Sequence, residues 1–121
     1  MTEPPVLMST ARRILDGAGR DLDRGWRESA CVSAQRAAVL ATQAWLEDRG
    51  QVHVSASVRE NVALEPDTPA GILEAATLLD RYRIDEGEPY AAAAEIDPVV
   101  AARVVEAGRS VVAFAEKRLG G

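Results

Sequence analysis

Alanine recurs at helical spacing between two tryptophans in the first half of the chain. At about 100° per residue, one face of a helix carries Trp26, Ala30, Ala34, Ala38, Ala41 and Trp45. Alanine accounts for 22 of the 121 residues, and aromatic residues for only 4%. Because alanine favours helices, whereas strands favour β-branched and aromatic residues, the chain is predicted to fold into closely packed helices. A second apolar strip, made of Val32, Val39 and Leu46, predicts neighbours on both sides of this helix.

Apolar periodicity and helix-end signals divide the chain into five helices. The predicted ranges are 9–24, 26–49, a short helix from residue 57, 70–81 and 98–120. Ser57 and Glu60 have the spacing of a capping box, and Asp97 before Pro98 is a favoured helix start. Residues 1–7 are predicted to form a loose N-terminus. The expected fold is a single all-α domain over residues 1–121, an antiparallel up-and-down bundle of four long helices plus one short helix.

The charge balance limits the kinds of partner. Fourteen basic and nineteen acidic side chains give a net charge of −5, which argues against a broad basic surface for nucleic acid but allows a local arginine patch. The single cysteine cannot form an internal disulfide, and no secretory signal or run of about 18 apolar residues occurs. The sequence therefore predicts a cytoplasmic protein with no membrane segment.

Recognisable catalytic and metal-binding patterns are not found in the sequence. His53 is the only histidine, and its neighbours supply no second metal ligand, so we expect an ordinary exposed loop residue. Cys31 lies among small apolar residues and is predicted to be buried packing rather than a reactive thiol. No phosphate-binding glycine loop and no metalloprotease motif occurs. The sequence predicts no metal, no cofactor and no catalytic set.

One polar stretch, residues 80–90, stands out as a candidate ligand-binding site. Its candidate residues are Asp80, Arg81, Tyr82, Arg83 and Tyr90. Arginines can pair with phosphate and tyrosines can stack on a base. A second interpretation is that the arginines only balance nearby carboxylates at a helix C-terminus, where cations are favourable. The residues alone leave both interpretations open and favour the second.

Several segments match a known family in order and with compatible spacing. They are residues 29–31, 34–38 closed by 48–50, 56–57, 73–76 through 79–82, and 114–119. Over about residues 8–119 the chain resembles HEPN domains, which are small helical bundles of prokaryotic nucleotide-related systems. The resemblance implies the same bundle that the periodicity predicts.

The resemblance also carries functional expectations. HEPN domains are typically dimers. Some are metal-independent ribonucleases that use an arginine and a nearby histidine, whereas others bind nucleotide or partner a small nucleotidyltransferase, often as a toxin–antitoxin pair. When the family's loop is aligned with residues 83–90, its arginine falls on Gly87 and its histidine on Ala92. Ala56 stands where many members have a further histidine.

Three functions follow from these observations. The leading expectation is a catalytically inactive, HEPN-like homodimer that binds a nucleotide or RNA near Arg81, Tyr82 and Arg83, or a protein partner such as a nucleotidyltransferase. Dimerisation is expected because the second apolar strips exceed what one small bundle needs to bury. The alternatives are a divergent ribonuclease toxin that uses Arg81 or Arg83 with Tyr90, and a purely structural dimeric adaptor.

Overall fold

Five helices make up the regular secondary structure of the part of the chain that is described. The computed structural model describes residues 3–51, 54–83 and 96–120. The helices are α1 (Pro4–Asp23), α2 (Arg27–Asp48), α3 (Val58–Ala63), α4 (Ala70–Asp80) and α5 (Pro98–Gly120). No strand occurs within these ranges. The predicted all-α bundle of four longer helices and one short helix is confirmed.

Helix α2 lies at the centre of the bundle and contacts each of the other four helices. Near the start of α1, Met8 packs in one core cluster with Trp45 near the end of α2, whereas Ala18 packs in a second cluster with Ala30. The two helices are therefore antiparallel. Small side chains let α2 and α5 approach closely, since a Cβ added at Gly108 would lie 3.1 Å from the Cβ of Ala34. The alanine face predicts this close packing.

Two glycines end the first two helices. Gly25 and Gly50 have φ values of 80° and 84°, a region that glycine occupies without the steric cost of a Cβ. After α2, the Gln51 amide donates to the Leu46 carbonyl at 2.9 Å and the Gly50 amide to the Glu47 carbonyl at 3.0 Å. These paired bonds form a Schellman motif, which satisfies the last carbonyls of the helix.

Helix starts follow local signals, with one departure. Ser57 accepts a hydrogen bond from the Glu60 amide, and Asp97 accepts one from the Val99 amide at 2.7 Å, so both predicted N-caps are confirmed. Helix α1, however, begins at Pro4 rather than near residue 9. Proline suits the first turn of a helix because the amides there need no intrahelical acceptor, and Leu7 then reaches the core. Residues 4–7 are therefore helical rather than loose.

One detail of the predicted α2 faces is wrong. Trp26 is 55% exposed, because it is the N-cap residue and lies outside the helical turn that would direct it inward. Leu46 is only 2% exposed, because it packs within the chain's own core. Of the second strip, Leu46 is therefore buried, whereas Val32 and Val39 are partly exposed. Among the described helices, none combines the length and the hydropathy needed to cross a bilayer.

Candidate ligand-binding site

Asp80, at the end of α4, bonds to the N-terminus of α3. Its carboxylate accepts hydrogen bonds from the Ser57 hydroxyl at 2.7 Å, the Val58 amide at 2.9 Å and the Arg59 amide at 3.0 Å. The Gln35 side-chain amide on α2 lies 3.4 Å from the same carboxylate. A carboxylate stabilises the first amides of a helix through both hydrogen bonds and the helix dipole. Asp80 therefore joins three helices.

The capping box at the start of α3 is closed through a third residue. Ser57 Oγ accepts from the Glu60 amide at 3.2 Å, as the pattern predicts. The Ser57 amide donates to Ser55 Oγ at 2.9 Å, and Ser55 Oγ donates to the Glu60 carboxylate. Glu60 thus reaches the Ser57 amide indirectly, whereas a standard box makes that bond directly. The arrangement fixes where α3 begins.

Buried polar side chains hold the same segment against α2. Asn61 is fully buried, and its amide donates to the Ser55 carbonyl at 2.8 Å and to Thr42 Oγ1 at 3.1 Å. The Ser55 amide donates to Asn61 Oδ1 at 2.9 Å. Gln35 donates to the Ala56 carbonyl at 3.2 Å. Because buried polar groups cost free energy unless they are paired, these bonds define one position for residues 55–61.

We call this region the α3–α4 junction, defined by Ser57, Arg59, Asp80 and Arg81. Two of its members, Arg59 and Arg81, are exposed. In the described part of the chain, neither side chain forms a hydrogen bond or an ion pair. Arg83 lies just beyond them in the chain and is exposed as well. The junction therefore presents guanidinium groups to solvent beside a carboxylate whose oxygens already accept four hydrogen bonds.

Tyr82 differs from its arginine neighbours because it is only 7% exposed and belongs to the core cluster that contains Cys31. Burial and the nearby Cys31 raise the pKa of Tyr82, with Arg81 acting in the opposite direction. Burial raises the pKa of the Cys31 thiol to about 11. Both groups are therefore protonated at neutral pH, and the Tyr82 ring packs inside the protein rather than offering a face to a base.

The structure brings together only part of the predicted site. The four contiguous residues 80–83 have different roles in the structure. Asp80 caps α3, Tyr82 is buried in the core, and Arg81 and Arg83 are exposed. Tyr90, Gly87, Ala92 and His53 lie outside the described residues. Within the described ranges, no group of three or more His, Cys, Asp or Glu side chains is placed to hold a metal ion.

The candidate site has three further neighbours that the sequence did not indicate, Gln35, Arg59 and Asn61. Arg59 and Asp80 are 21 residues apart, so no local pattern connects them. The capping box at Ser57 marked the helix start but did not show that Asp80 from another helix would share it. The sequence offered only one signal for this contact. It was a carboxylate at the end of one predicted helix together with a hydroxyl N-cap at the start of another.

The HEPN domain family model matches residues 5–118 of the chain. The chain belongs to the HEPN domain family. This membership confirms the resemblance seen in the sequence and agrees with the five-helix bundle. A comparison with curated proteins finds no match.

Three solved structures are similar to this chain. TT1696 from Thermus thermophilus is 28% identical, with a TM-score of 0.83 over 98% of this chain and 99% of that one. ST0689, an archaeal HEPN homologue, is 24% identical, with a TM-score of 0.79 over 98% and 99% of the two chains. An HEPN domain protein of Thermotoga maritima is 24% identical, with a TM-score of 0.76 over 94% and 97%. These similarities extend over nearly the full length of each chain.

Proposed function

We propose that this HEPN domain is a non-catalytic binding protein for a phosphate-bearing ligand, either a nucleotide or RNA, at the end of α4. The observation that carries the proposal is the state of Arg81, which is exposed and has no ion pair in the described part of the chain. In the charge-balance interpretation, the adjacent Asp80 carboxylate pairs with the arginines. In the structure it bonds to the start of α3 instead. An exposed guanidinium can form paired hydrogen bonds with phosphate oxygens.

The lack of catalysis is proposed on the basis of residue chemistry. The positions of the family's reactive arginine and histidine hold Gly87 and Ala92 in this sequence. A histidine titrates near neutral pH and can exchange protons there, whereas glycine and alanine cannot. Tyr82 has a raised pKa and a buried ring, so it is a poor replacement for a general base. The alternative is a ribonuclease that uses Arg81 or Arg83 with Tyr90.

A thermal-shift and cleavage experiment distinguishes these functions. ATP and a single-stranded oligouridylate are each added to the wild type, to Arg81→Gln and to Arg103→Gln, a matched exposed arginine on α5. At a hundredfold excess over its dissociation constant, a ligand is expected to stabilise the folded state by about 2.7 kcal/mol. We expect stabilisation of the wild type and Arg103→Gln, a smaller effect in Arg81→Gln, and intact RNA. Cleavage by the wild type that is lost in Arg83→Ala would contradict the proposal.

We also propose that the protein is a cytoplasmic homodimer, working with a nucleotidyltransferase-type partner in a toxin–antitoxin-like system. The proposal rests on family membership and on the partial exposure of Val32 and Val39 on α2. Because Leu46 is buried within the chain, the apolar strip contributes less to the dimer than the sequence suggested. Light scattering at micromolar concentration should give twice the mass of one chain, and the mass of a single chain would contradict the dimer.

A further inference from the structure

Arg59 comes from a different part of the sequence than Arg81, yet Asp80 connects them. The Arg59 amide donates to Asp80 Oδ2 at 3.0 Å, and Arg81 is the next residue after Asp80. Both side chains are exposed. The backbones of two exposed arginines therefore lie on either side of one carboxylate.

The carboxylates nearest the two arginines already have hydrogen-bond donors from the protein itself. Asp80 accepts hydrogen bonds from the Val58 and Arg59 amides. The Glu60 carboxylate is engaged with the Ser55 hydroxyl. The α3 amides that bond to Asp80 are unavailable to a ligand, so any contact with phosphate falls to the guanidinium groups.

We propose that Arg59 is a second phosphate-binding residue of the site at Arg81, and that Asp80 is the residue that positions it. This inference rests on the proposed function. Two guanidinium groups, one on α3 and one directly after α4, suit a ligand with neighbouring phosphates, either the triphosphate of a free nucleotide or successive phosphates of an RNA backbone. Each is a fixed fork of donors that matches phosphate oxygens.

The first test compares Arg59→Gln with Arg103→Gln by calorimetric titration of the full chain. Losing one hydrogen-bonded contact to a charged group corresponds to roughly tenfold weaker binding. We expect that loss for Arg59→Gln with ATP or oligouridylate, and no change for Arg103→Gln. If the ligand is RNA, the slope of log affinity against log salt should also fall by about 0.7 for one lost phosphate contact. If Arg59→Gln weakens the binding of ATP tenfold but leaves the binding of oligouridylate unchanged, the site is one for a free nucleotide.

The second test addresses the positioning role of Asp80. Asparagine keeps one carbonyl oxygen but removes the second carboxylate oxygen, so Asp80→Asn loosens the start of α3. In the Asp80→Asn background, Arg59→Gln should weaken binding less than twofold, because Arg59 is no longer held beside Arg81. Ser57→Ala, which removes a 2.7 Å bond to Asp80, provides a milder background in case Asp80→Asn unfolds. An undiminished tenfold effect of Arg59→Gln in both backgrounds would overturn the positioning role.

Failure of this inference can be distinguished from failure of the proposed function. If the wild type binds neither probe, the proposed function is wrong and the inference falls with it. If Arg81→Gln weakens binding while Arg59→Gln behaves like Arg103→Gln, the proposed function stands and the role of Arg59 is overturned. If both variants weaken binding and Arg103→Gln does not, both proposals are supported.

Discussion

Arginines occupy two regions of this bundle in different ways. At the C-terminal ends of α2 and α5, which we call the aromatic end, Arg49 lies 5.5 Å from the Trp45 ring centroid and Arg118 lies 4.1 Å from that of Phe114. Arg49 also bonds to Glu65 at 2.7 Å. At the α3–α4 junction, Arg59 and Arg81 have no such contacts in the described part of the chain. The same residue type stabilises the fold in one region and remains available to a ligand in the other.

The largest expected change in unfolding free energy comes from a substitution at the aromatic end. Trp45 is buried and packs edge-to-face with Phe114 at a centroid distance of 5.7 Å. Trp45→Ala should lower the free energy of unfolding by about 4 kcal/mol, because it leaves a large cavity. Denaturant unfolding measures this loss, and the exposed Trp26→Ala serves as the control. An equal loss in both variants would show that the aromatic end does not have the structural role assigned to it.

The second-largest loss of stability is expected when Asp80, the carboxylate of the α3–α4 junction, is replaced. Asp80→Ala leaves two α3 amides and the Ser57 hydroxyl without their acceptor. We expect a loss of about 3 kcal/mol, from the lost cap and from the unpaired polar groups. Asp16→Ala, on the exposed face of α1, should change stability by less than about 0.5 kcal/mol. A loss for Asp80→Ala no larger than this control would contradict its role as the cap.

Alkaline pH should weaken the core beneath the junction. Burial raises the pKa of Cys31 from 9.0 to about 11, so the folded state favours the protonated thiol. Below pH 9 both states keep the proton, whereas between about pH 9 and 11 the unfolded chain loses it first. Stability should therefore fall by about 2 kcal/mol across this window, since each pKa unit corresponds to about 1.36 kcal/mol. Urea unfolding of Cys31→Ala should show a smaller loss; an identical loss would exclude Cys31 as the cause.

The arginines themselves should show the smallest effects on stability. Arg49→Gln loses an ion pair and a cation–π contact at a partly exposed position, which together contribute about 1 kcal/mol. Arg81→Gln should change the free energy of unfolding by less than about 0.5 kcal/mol while weakening ligand binding. Thermal unfolding without ligand gives both values. Equal destabilisation by the two variants would remove the distinction between the two regions.

The sequence predicted the bundle well because its signals are local. Alanine spacing in α2, Gly50 after it, Ser57 before α3 and Asp97 before α5 each depend on residues within a turn or two of one another. The errors at Pro4 and Trp26 concern the ends of helices, where propensity alone is weak. Helix ends depend on whether the next side chain finds a place in the core.

The candidate site was predicted only in part because its geometry is not local. The sequence identified Asp80, Arg81 and Arg83 as a charged cluster, and it grouped Asp80 with the arginines by proximity along the chain. In the folded protein Asp80 bonds to the start of α3, and its carboxylate accepts a hydrogen bond from the Arg59 amide. Burial of Tyr82 likewise depends on the position of Cys31 on another helix. Such relations arise only once the helices are packed.

The most direct test of the binding role assigned to the junction is a calorimetric titration of the wild type and Arg81→Gln with single-stranded oligouridylate and with ATP. We expect saturable binding of at least one of these probes by the wild type, and binding roughly tenfold weaker in the variant, whose unfolding free energy should be nearly unchanged. No binding of either probe by the wild type, or equal affinities in the two proteins, would contradict the assignment of Arg81 as a phosphate-binding residue.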